Sequence, residues 1–432
     1  MRITLLTIGT LGDVRPFLAL ALGLQKLGHQ VNLAGPENFI SYVEPYQVPY
    51  HSLEVDTKQL LESEEGKRWM AAGNVNKFME ELQKMFHERR YILERDILAA
   101  CQDNDLIITH PLLLFHAATL SEKFHIPLML ATPFPDSPKT KEFPQFLVRS
   151  KKLPFGFLNL LTYFLFAKVY EKSKRRDLNE WRIKLGLSPL RGSVFANIVK
   201  QHIPILHAYS NELVPFPKDW SEHNFITGNW KIPEKSIEHT EDHLPEELLA
   251  WLEAGKAPIY FGFGSLPILE PQKMINMAIE IANNLQTRAI IASGWSDMIA
   301  KDLPYTDSDS IFMLKSANHE LLFPHCSIII HHGGAGTTHT TLESGVPSII
   351  CSTYADQPFW GERITEINIG RHIPFPKLTK QNLTDAILEL HNNSVIEKAA
   401  EIGKRMKSEN GLQNALEIIN THLERGLPVY RN

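Results

Sequence analysis

The stretch "IIIHHGGAGTTHTTLESGVPSII" (residues 328–350) decides how this chain is read. Three isoleucines run into two histidines, three glycines fall within the next four positions, and a helix-like run leads to a second apolar segment. That order, strand then turn then helix, puts the turn at the carboxyl end of a buried strand. Gly333, Gly334 and Gly336 let a ligand approach the backbone closely. The N–H groups and positive dipole end of the following helix make such a turn an anion site, most naturally for phosphate. Thr337 and Thr338 add hydroxyl donors, and the His332 imidazole can donate to an oxygen that gains charge as a phosphate departs. The plain alternative is a glycine turn beside two surface histidines.

Working outward, 432 residues are too many for one comfortable core, so two domains are expected. Hydrophobic residues at 43% and charged residues at 22% give an ordinary globular balance. A net charge of −5 offers no global reason to bind nucleic acid. Cys101, Cys326 and Cys351 are too few and too scattered for a disulfide framework or a zinc site, which fits a reducing cytoplasm. The N-terminus "MRITLLTIGTLGDVRPF" reads as a buried first strand, not as a signal peptide.

Strands and helices alternate in both halves. "RITLLTIG" (2–9), "QVNLAG" (30–35), "DLIITH" (105–110) and "IPLMLAT" (126–132) are apolar strands, with a helix over 15–29 opened by Arg15-Pro16. The pattern restarts at "APIYFGFGS" (257–265), then a helix over 271–285, "TRAIIASG" (287–294), "SIFMLK" (310–315), "CSIIIHH" (326–332) and "PSIICS" (347–352). Apolar, non-alternating strands joined by helices indicate parallel sheets covered on both faces. The polar stretch "TGNWKIPEKSIEHTEDHLPEE" (227–247) reads as the linker. The fold expected is α/β, two doubly wound Rossmann-like domains facing across a cleft, residues 1–232 and 233–432, with the last helices able to pack back on the first domain.

Other turns share the logic of the first. "YFGFGS" ends in Gly264 and Ser265 just before a helix and would form the other wall of a diphosphate pocket. "YADQPFWGERI" (354–364) sets Asp356 and Gln357 in a loop after a strand, and a carboxylate beside an amide suits sugar hydroxyls, which donate and accept. A solvated turn is the plain alternative there. "DSD" (307–309) lies in a polar loop before a strand and is rejected as a metal site.

Several of these pieces carry a resemblance. "TIGTLGDVRPFLALALGLQKLGHQV", "NEWRIKLGLSP", "AYSNELVPFPKDW", "FITGNW", "IYFGFGS", "NHELLFPHCSIIIHHGGAGTT" and "ADQPFWGERI" span nearly the whole chain in order. Together they are similar to inverting GT-B glycosyltransferases that use UDP- or TDP-sugars. Sterol glucosyltransferases, and the bacterial transferases that decorate glycopeptides and polyketides, resemble it most in these motifs. The resemblance implies that His332 binds the donor diphosphate with backbone groups from Gly334 to Thr337. It also implies that Asp356 and Gln357 contact the donor sugar and that no metal or cofactor is needed beyond the UDP-sugar co-substrate. Where plant members carry a ribose-holding glutamate, this chain has Thr340.

The turn "GTLGDVRP" superficially suggests a dinucleotide fingerprint through Gly9 and Gly12, but the third glycine is missing and a dehydrogenase reading is rejected. Sterol and antibiotic transferases have an aspartate at this turn, so the resemblance makes Asp13 the general base that takes the acceptor proton. A helix N-cap is the structural alternative for Asp13. His110 ends a strand that could neighbour the first, where it would orient Asp13, replace it as base or simply wall the acceptor pocket. "LPFGFLNLLTYFLFAKVY" (153–170), beside Lys151, Lys152 and "KSKRR" (172–176), reads as a helix over an apolar acceptor pocket with a secondary role in peripheral membrane contact. An ordinary core helix with a solvated basic end is the alternative. The expected activity is transfer of a hexose, glucose in the first place, from a UDP-sugar to a lipophilic alcohol such as a sterol, carotenoid or polyketide. A nucleotide-sugar 2-epimerase of the same fold, or a catalytically silent lipid-binding relative, are the alternatives.

Overall fold

The computed structural model describes residues 1–56, 77, 80–81, 84, 87–233, 243–263, 271–292 and 310–432. These fall into two compact units. The described residues of the first lie within Met1–Leu60, Met79–Ile237 and Glu409–Asn432, and those of the second within Leu61–Phe78 and Glu238–Ser408.

The first unit is built on seven parallel strands: β1 (Arg2–Leu6), β2 (Gln30–Pro36), β3 (Tyr50–Leu53), β4 (Leu106–Thr109), β5 (Leu128–Thr132), β6 (Ile205–His207) and β7 (Asn224–Ile226). Their spatial order is β3-β2-β1-β4-β5-β6-β7. Successive side chains of a strand point to opposite faces, yet Ile3, Thr4, Leu5 and Leu6 are all buried, as are all four residues of β4. Both faces are therefore covered, which is why these strands read as continuous apolar runs. One core holds Leu6, Ile107 and Leu128 with Trp181 and Tyr430; the other holds Leu5, Ile108 and Met129 with Phe17, Trp230 and Ile419.

The second unit repeats the plan with β8 (Ile259–Gly262), β9 (Ala289–Ala292), β10 (Ile311–Leu314), β11 (Ile328–His331), β12 (Ser348–Ile350) and β13 (Gly370–His372), in the order β10-β9-β8-β11-β12-β13, all parallel. In each sheet the chain winds outward in one direction and then in the other. The reversal falls between β1 and β4 in the first and between β8 and β11 in the second. At such a reversal the connections leave in opposite directions and open a crevice at the carboxyl ends of the two strands.

Three expectations need correction. The first helix runs Leu11–Lys26 and does not wait for Arg15-Pro16, because Thr10 caps it: the Thr10 side chain accepts from Gly12 N, and the Asp13 side chain accepts from the Thr10 backbone. "TGNW" (227–230) is not linker: Trp230 is buried, donates its indole N–H to Thr227, and Asn414 donates to the Thr227 carbonyl. The strands β3 (YHSL), β6 (ILH), β7 (NFI) and β13 (GRH) were not read from the sequence, since each mixes polar residues into its few positions and β3, β7 and β13 are half-exposed sheet edges. The last helix, Gly411–Arg425, packs on the first, where a Cβ at Gly23 would stand 2.7 Å from a Leu416 methyl.

Candidate active site

The reversal in the first sheet brings together two residues 97 positions apart in sequence. His110 leaves β4 with its backbone N–H donating to the Leu6 carbonyl of β1, and Asp13 sits in the first turn of the helix that follows β1. His110 Nε2 stands 3.2 Å from Asp13 Oδ1, a close contact that falls short of a well-aligned hydrogen bond. The imidazole is fully buried and the carboxylate keeps 17% of its surface. His110 Nδ1 accepts from Leu112 N at 3.3 Å, so the proton of the neutral ring belongs on Nε2, facing the carboxylate. The edges and faces of Phe17 and Phe134, with centroids 5.9 and 5.5 Å away, fix the ring's plane.

Asp13 is not the N-cap. It occupies the third helical position, and its Oδ2 accepts from Thr10 N at 2.7 Å and from Thr10 Oγ1 at 3.1 Å. Gly9 makes room for this: its φ is +134°, and a Cβ there would fall 2.2 Å from Asp13 Oδ2. One carboxylate oxygen is thus held by the turn and the other faces His110.

A buried carboxyl that the sequence reading did not single out lies close by. Asp136 follows Phe134 in a proline-rich loop, accepts from Gln145 Nε2 at 3.0 Å, and is pushed up to about 6 by burial, with the Gln145 hydrogen bond and the charge of His110 pulling the other way. No spacing signal marks it, because its partners come from tertiary contact.

In the second sheet the corresponding crevice is lined by the exit of β11. His331 is the last residue of the strand and fully buried; its Nδ1 accepts from Gly333 N at 3.1 Å. His332 is half-buried, and burial lowers it to about 4, so it is neutral near pH 7 and donates as an imidazole. Its Nδ1 is buried without a hydrogen-bond partner. Its Nε2 lies over Gly334, where a Cβ would stand 2.6 Å away, and Gly333 takes φ +91° against Ile350. Gly336 faces open space.

The helix Ala335–Glu343 that follows has Gly334 at its N-cap, no side-chain cap and no acid in its first turn. Its leading N–H groups therefore remain available to an external anion. Thr337 stays half-exposed at this mouth, whereas Thr338 is fully buried with its hydroxyl lacking a hydrogen-bond partner. Thr340 is also buried. The neighbouring strand β8 pairs Gly262 with His331, which brings its exit beside this turn; Ser265 and the "DSD" at 307–309 lie outside the described residues.

Asp356 and Gln357 open the helix Gln357–Glu366 after β12. Asp356 Oδ2 accepts from Trp360 Nε1 at 2.5 Å. Gln357 Oε1 accepts from Thr353 N and Thr353 Oγ1, both at 2.9 Å, and from Tyr354 N at 3.3 Å. Its oxygen is committed to the loop, which leaves Nε2 as the amide's donor on a side chain that is itself buried. Among the described residues there is no group of three or more His, Cys, Asp or Glu placed to hold a metal ion.

Residues 3–136 match the model of the glycosyltransferase family 28 N-terminal domain, and residues 312–420 match the erythromycin biosynthesis protein CIII-like C-terminal domain. The chain is 32% identical to the sterol 3-beta-glucosyltransferase UGT80B1 of Arabidopsis thaliana, over 99% of its own length and 69% of the relative's. It is also 32% identical to a sterol 3-beta-glucosyltransferase of Cryptococcus neoformans, but spans only 27% of that longer protein. Its fold matches the glycosyltransferase of kitacinnamycin (TM-score 0.70, 18% identity, 99% of each chain) and VinC in complex with dTDP (TM-score 0.66, 15% identity, 99% of this chain and 100% of that one). With two doubly wound sheets, a carboxylate at one reversal and an uncapped glycine turn at the other, the chain belongs to the sterol 3-beta-glucosyltransferase family of GT-B glycosyltransferases.

Proposed function

We propose that this glycosyltransferase moves a hexose, glucose in the first place, from a UDP-sugar to the hydroxyl of a lipophilic alcohol, with inversion. The observation that carries the reading is the Asp13 carboxylate, one oxygen tied to Thr10 and the other 3.2 Å from a buried imidazole, in a chain similar end to end to a sterol glucosyltransferase. Asp13 takes the proton as the acceptor oxygen attacks the anomeric carbon. The new C–O bond forms as the bond to the diphosphate breaks, and the electron pair leaves with UDP. Thr10 holds the carboxylate in place, and His110, with its proton on Nε2, faces the other oxygen and in that tautomer cannot serve as the base. The uncapped turn from His332 to Thr337 receives the diphosphate, His332 donating to the oxygen that gains charge. Gln357 Nε2 and Asp356 meet the sugar hydroxyls.

Peripheral contact with a membrane from the cytoplasmic side belongs to the same reading. The helix Gly156–Lys184 exposes Phe157, Leu161, Phe164, Leu165 and Val169, with Phe164 at 62% and Val169 at 67%. Lys168 and Lys172 share that exposed face, and the one acid between Phe157 and Lys172, Glu171, is buried against Ser193. Apolar residues followed by lysines suit an anionic bilayer surface. Among the described residues no helix is long and apolar enough to cross a membrane.

A screen of UDP- and TDP-sugars against sterols and other lipophilic alcohols, read by mass spectrometry, tests the activity. Glycoside formation with stoichiometric UDP release that depends on the alcohol is the expected result. UDP release without any alcohol would favour the 2-epimerase reading, and no turnover with any donor would favour a silent lipid binder.

A further inference from the structure

The loop that carries Asp356 and Gln357 is held from behind by three side chains the reaction does not use. Ser352 Oγ lies 2.7 Å from His372 Nε2, and His372 Nδ1 lies 2.8 Å from Glu362 Oε1. The three come from different elements: the exit of β12, the end of β13 and the helix Gln357–Glu366. The spacing is that of a serine–histidine–carboxylate relay, but Ser352 keeps only 2% of its surface, so no substrate carbonyl reaches its hydroxyl. Its role must be sought in what it holds.

The relay has a defined polarity. Glu362 accepts from Nδ1–H, which leaves Nε2 as the acceptor of the Ser352 hydroxyl proton. The backbone carbonyl of Ser352 accepts in turn from Phe375 N at 2.8 Å. Ser352 is therefore fixed at both its side chain and its main chain. The next residue, Thr353, supplies two of the three donors that hold Gln357 Oε1. Room for the histidine ring is made by Gly361, where a Cβ would fall 2.4 Å from His372 Cδ2. Glu362 and Gln357 ride on one helix, so the relay and the amide it orients move together.

We propose that Glu362, His372 and Ser352 form a positioning network that sets the Gln357 amide toward the donor sugar, and that it governs recognition of the sugar without governing recognition of the diphosphate. The proposal rests on the reading of Asp356 and Gln357 as sugar contacts. The Ser352–His372 and His372–Glu362 hydrogen bonds do not run through the His332–Thr337 turn, against which Gln357 packs at Gly333, so recognition of the sugar should respond more than recognition of the diphosphate.

The test is calorimetry with UDP and with UDP-glucose, together with donor KM and kcat, on the full chain and on Ser352→Ala, Glu362→Ala and Glu362→Gln. Ser352→Ala leaves the buried His372 Nε2 without its partner, so the melting temperature should fall modestly, while UDP affinity stays unchanged and the UDP-glucose Kd and donor KM rise about tenfold, the effect of one weakened hydrogen bond to the sugar. Glu362→Ala should do the same, and Glu362→Gln, whose amide oxygen still accepts from Nδ1–H, should restore most of the affinity. Equal loss of UDP and UDP-glucose affinity would overturn the proposal in favour of general structural damage. Unchanged UDP-glucose affinity in Ser352→Ala and Glu362→Ala would overturn it outright. A wild-type chain that binds no nucleotide sugar would instead defeat the functional reading on which the network depends.

Discussion

Two turns stand at the reversals of strand order, one after β1 and one after β11, on opposite sides of the crevice in their sheets, and they have opposite electrostatic designs. Gly9–Asp13 follows β1 and His332–Thr337 follows β11; each stands at the reversal of strand order and each opens a helix. In the first turn the helix N-terminus is closed by the chain's own negative charge, since Asp13 accepts from the Thr10 N–H and hydroxyl. In the second, no side chain caps the helix and no acid enters its first turn. The difference teaches that glycine-rich strand–helix turns are not interchangeable. A carboxylate three positions into the helix fills the place an anion would take, and its absence leaves the dipole and N–H groups available.

The largest expected effect breaks the first turn's chemistry and spares its structure. The second unit supplies the control: its helix Lys380–Leu390 has the same capping box, built from Thr379 and Asn382, with Thr379 N donating to Asn382 Oδ1 at 2.9 Å. An asparagine therefore serves that position, and Asp13→Asn should keep melting temperature and UDP affinity. Its kcat should fall by ~10²–10⁴, because an amide cannot take the proton. Near-wild-type turnover in Asp13→Asn with collapse in His110→Ala would move the base to His110. A collapse of melting temperature would return Asp13 to a purely structural role.

The second turn should yield less to substitution. His332→Ala removes one donor to the leaving diphosphate, and transfer should slow by ~10²–10³ with weaker UDP binding, measured by kinetics and calorimetry. Crippled turnover in His331→Ala with an unaffected His332→Ala would exchange their roles, against the burial of His331. Gly334→Ala sharpens the same point: the added Cβ would stand 2.6 Å from His332 Nε2 and push the ring off the turn, so UDP affinity should fall while Asp13-dependent steps stay intact. Unchanged affinity would mean that the ring's seat over Gly334 is dispensable.

The smallest effect is on stability. Burial holds His116 and His207 in the first unit at about 3 and His332 in the second at about 4. All three lie below the ~6.5 of an unfolded histidine, so between those values the unfolded chain binds more protons and stability falls as pH falls. Each group adds a slope of up to ~1.4 kcal/mol per pH unit. Denaturant titrations from pH 7 to pH 5 should show this loss for wild type and a shallower one for His332→Gln. Identical slopes would mean that His332 is not held neutral by the fold.

The sequence by itself determined the α/β class and the two-unit plan, and it marked the residues of both turns. These are local properties: apolar runs, glycines beside strand ends and the Asp-Gln pair are visible within ten or so residues. What only the tertiary structure decided is which of these segments meet. Nothing in "DLIITH" places His110 3.2 Å from Asp13; that contact exists because β4 pairs with β1 across the reversal. The start of the first helix at Leu11 followed from Thr10 and Asp13 capping each other, a reciprocal bond that overrode the proline signal. The edge strands β3, β7 and β13 and the strand β6 were missed because polar residues interrupt their apolar character, and they form where a neighbouring strand supplies their hydrogen bonds. The Ser352–His372–Glu362 relay joins residues up to 20 positions apart in three elements, and its geometry arises from packing. Hydrogen-bond partners are fixed by distance in space, and sequence records that distance only within a turn or a helix.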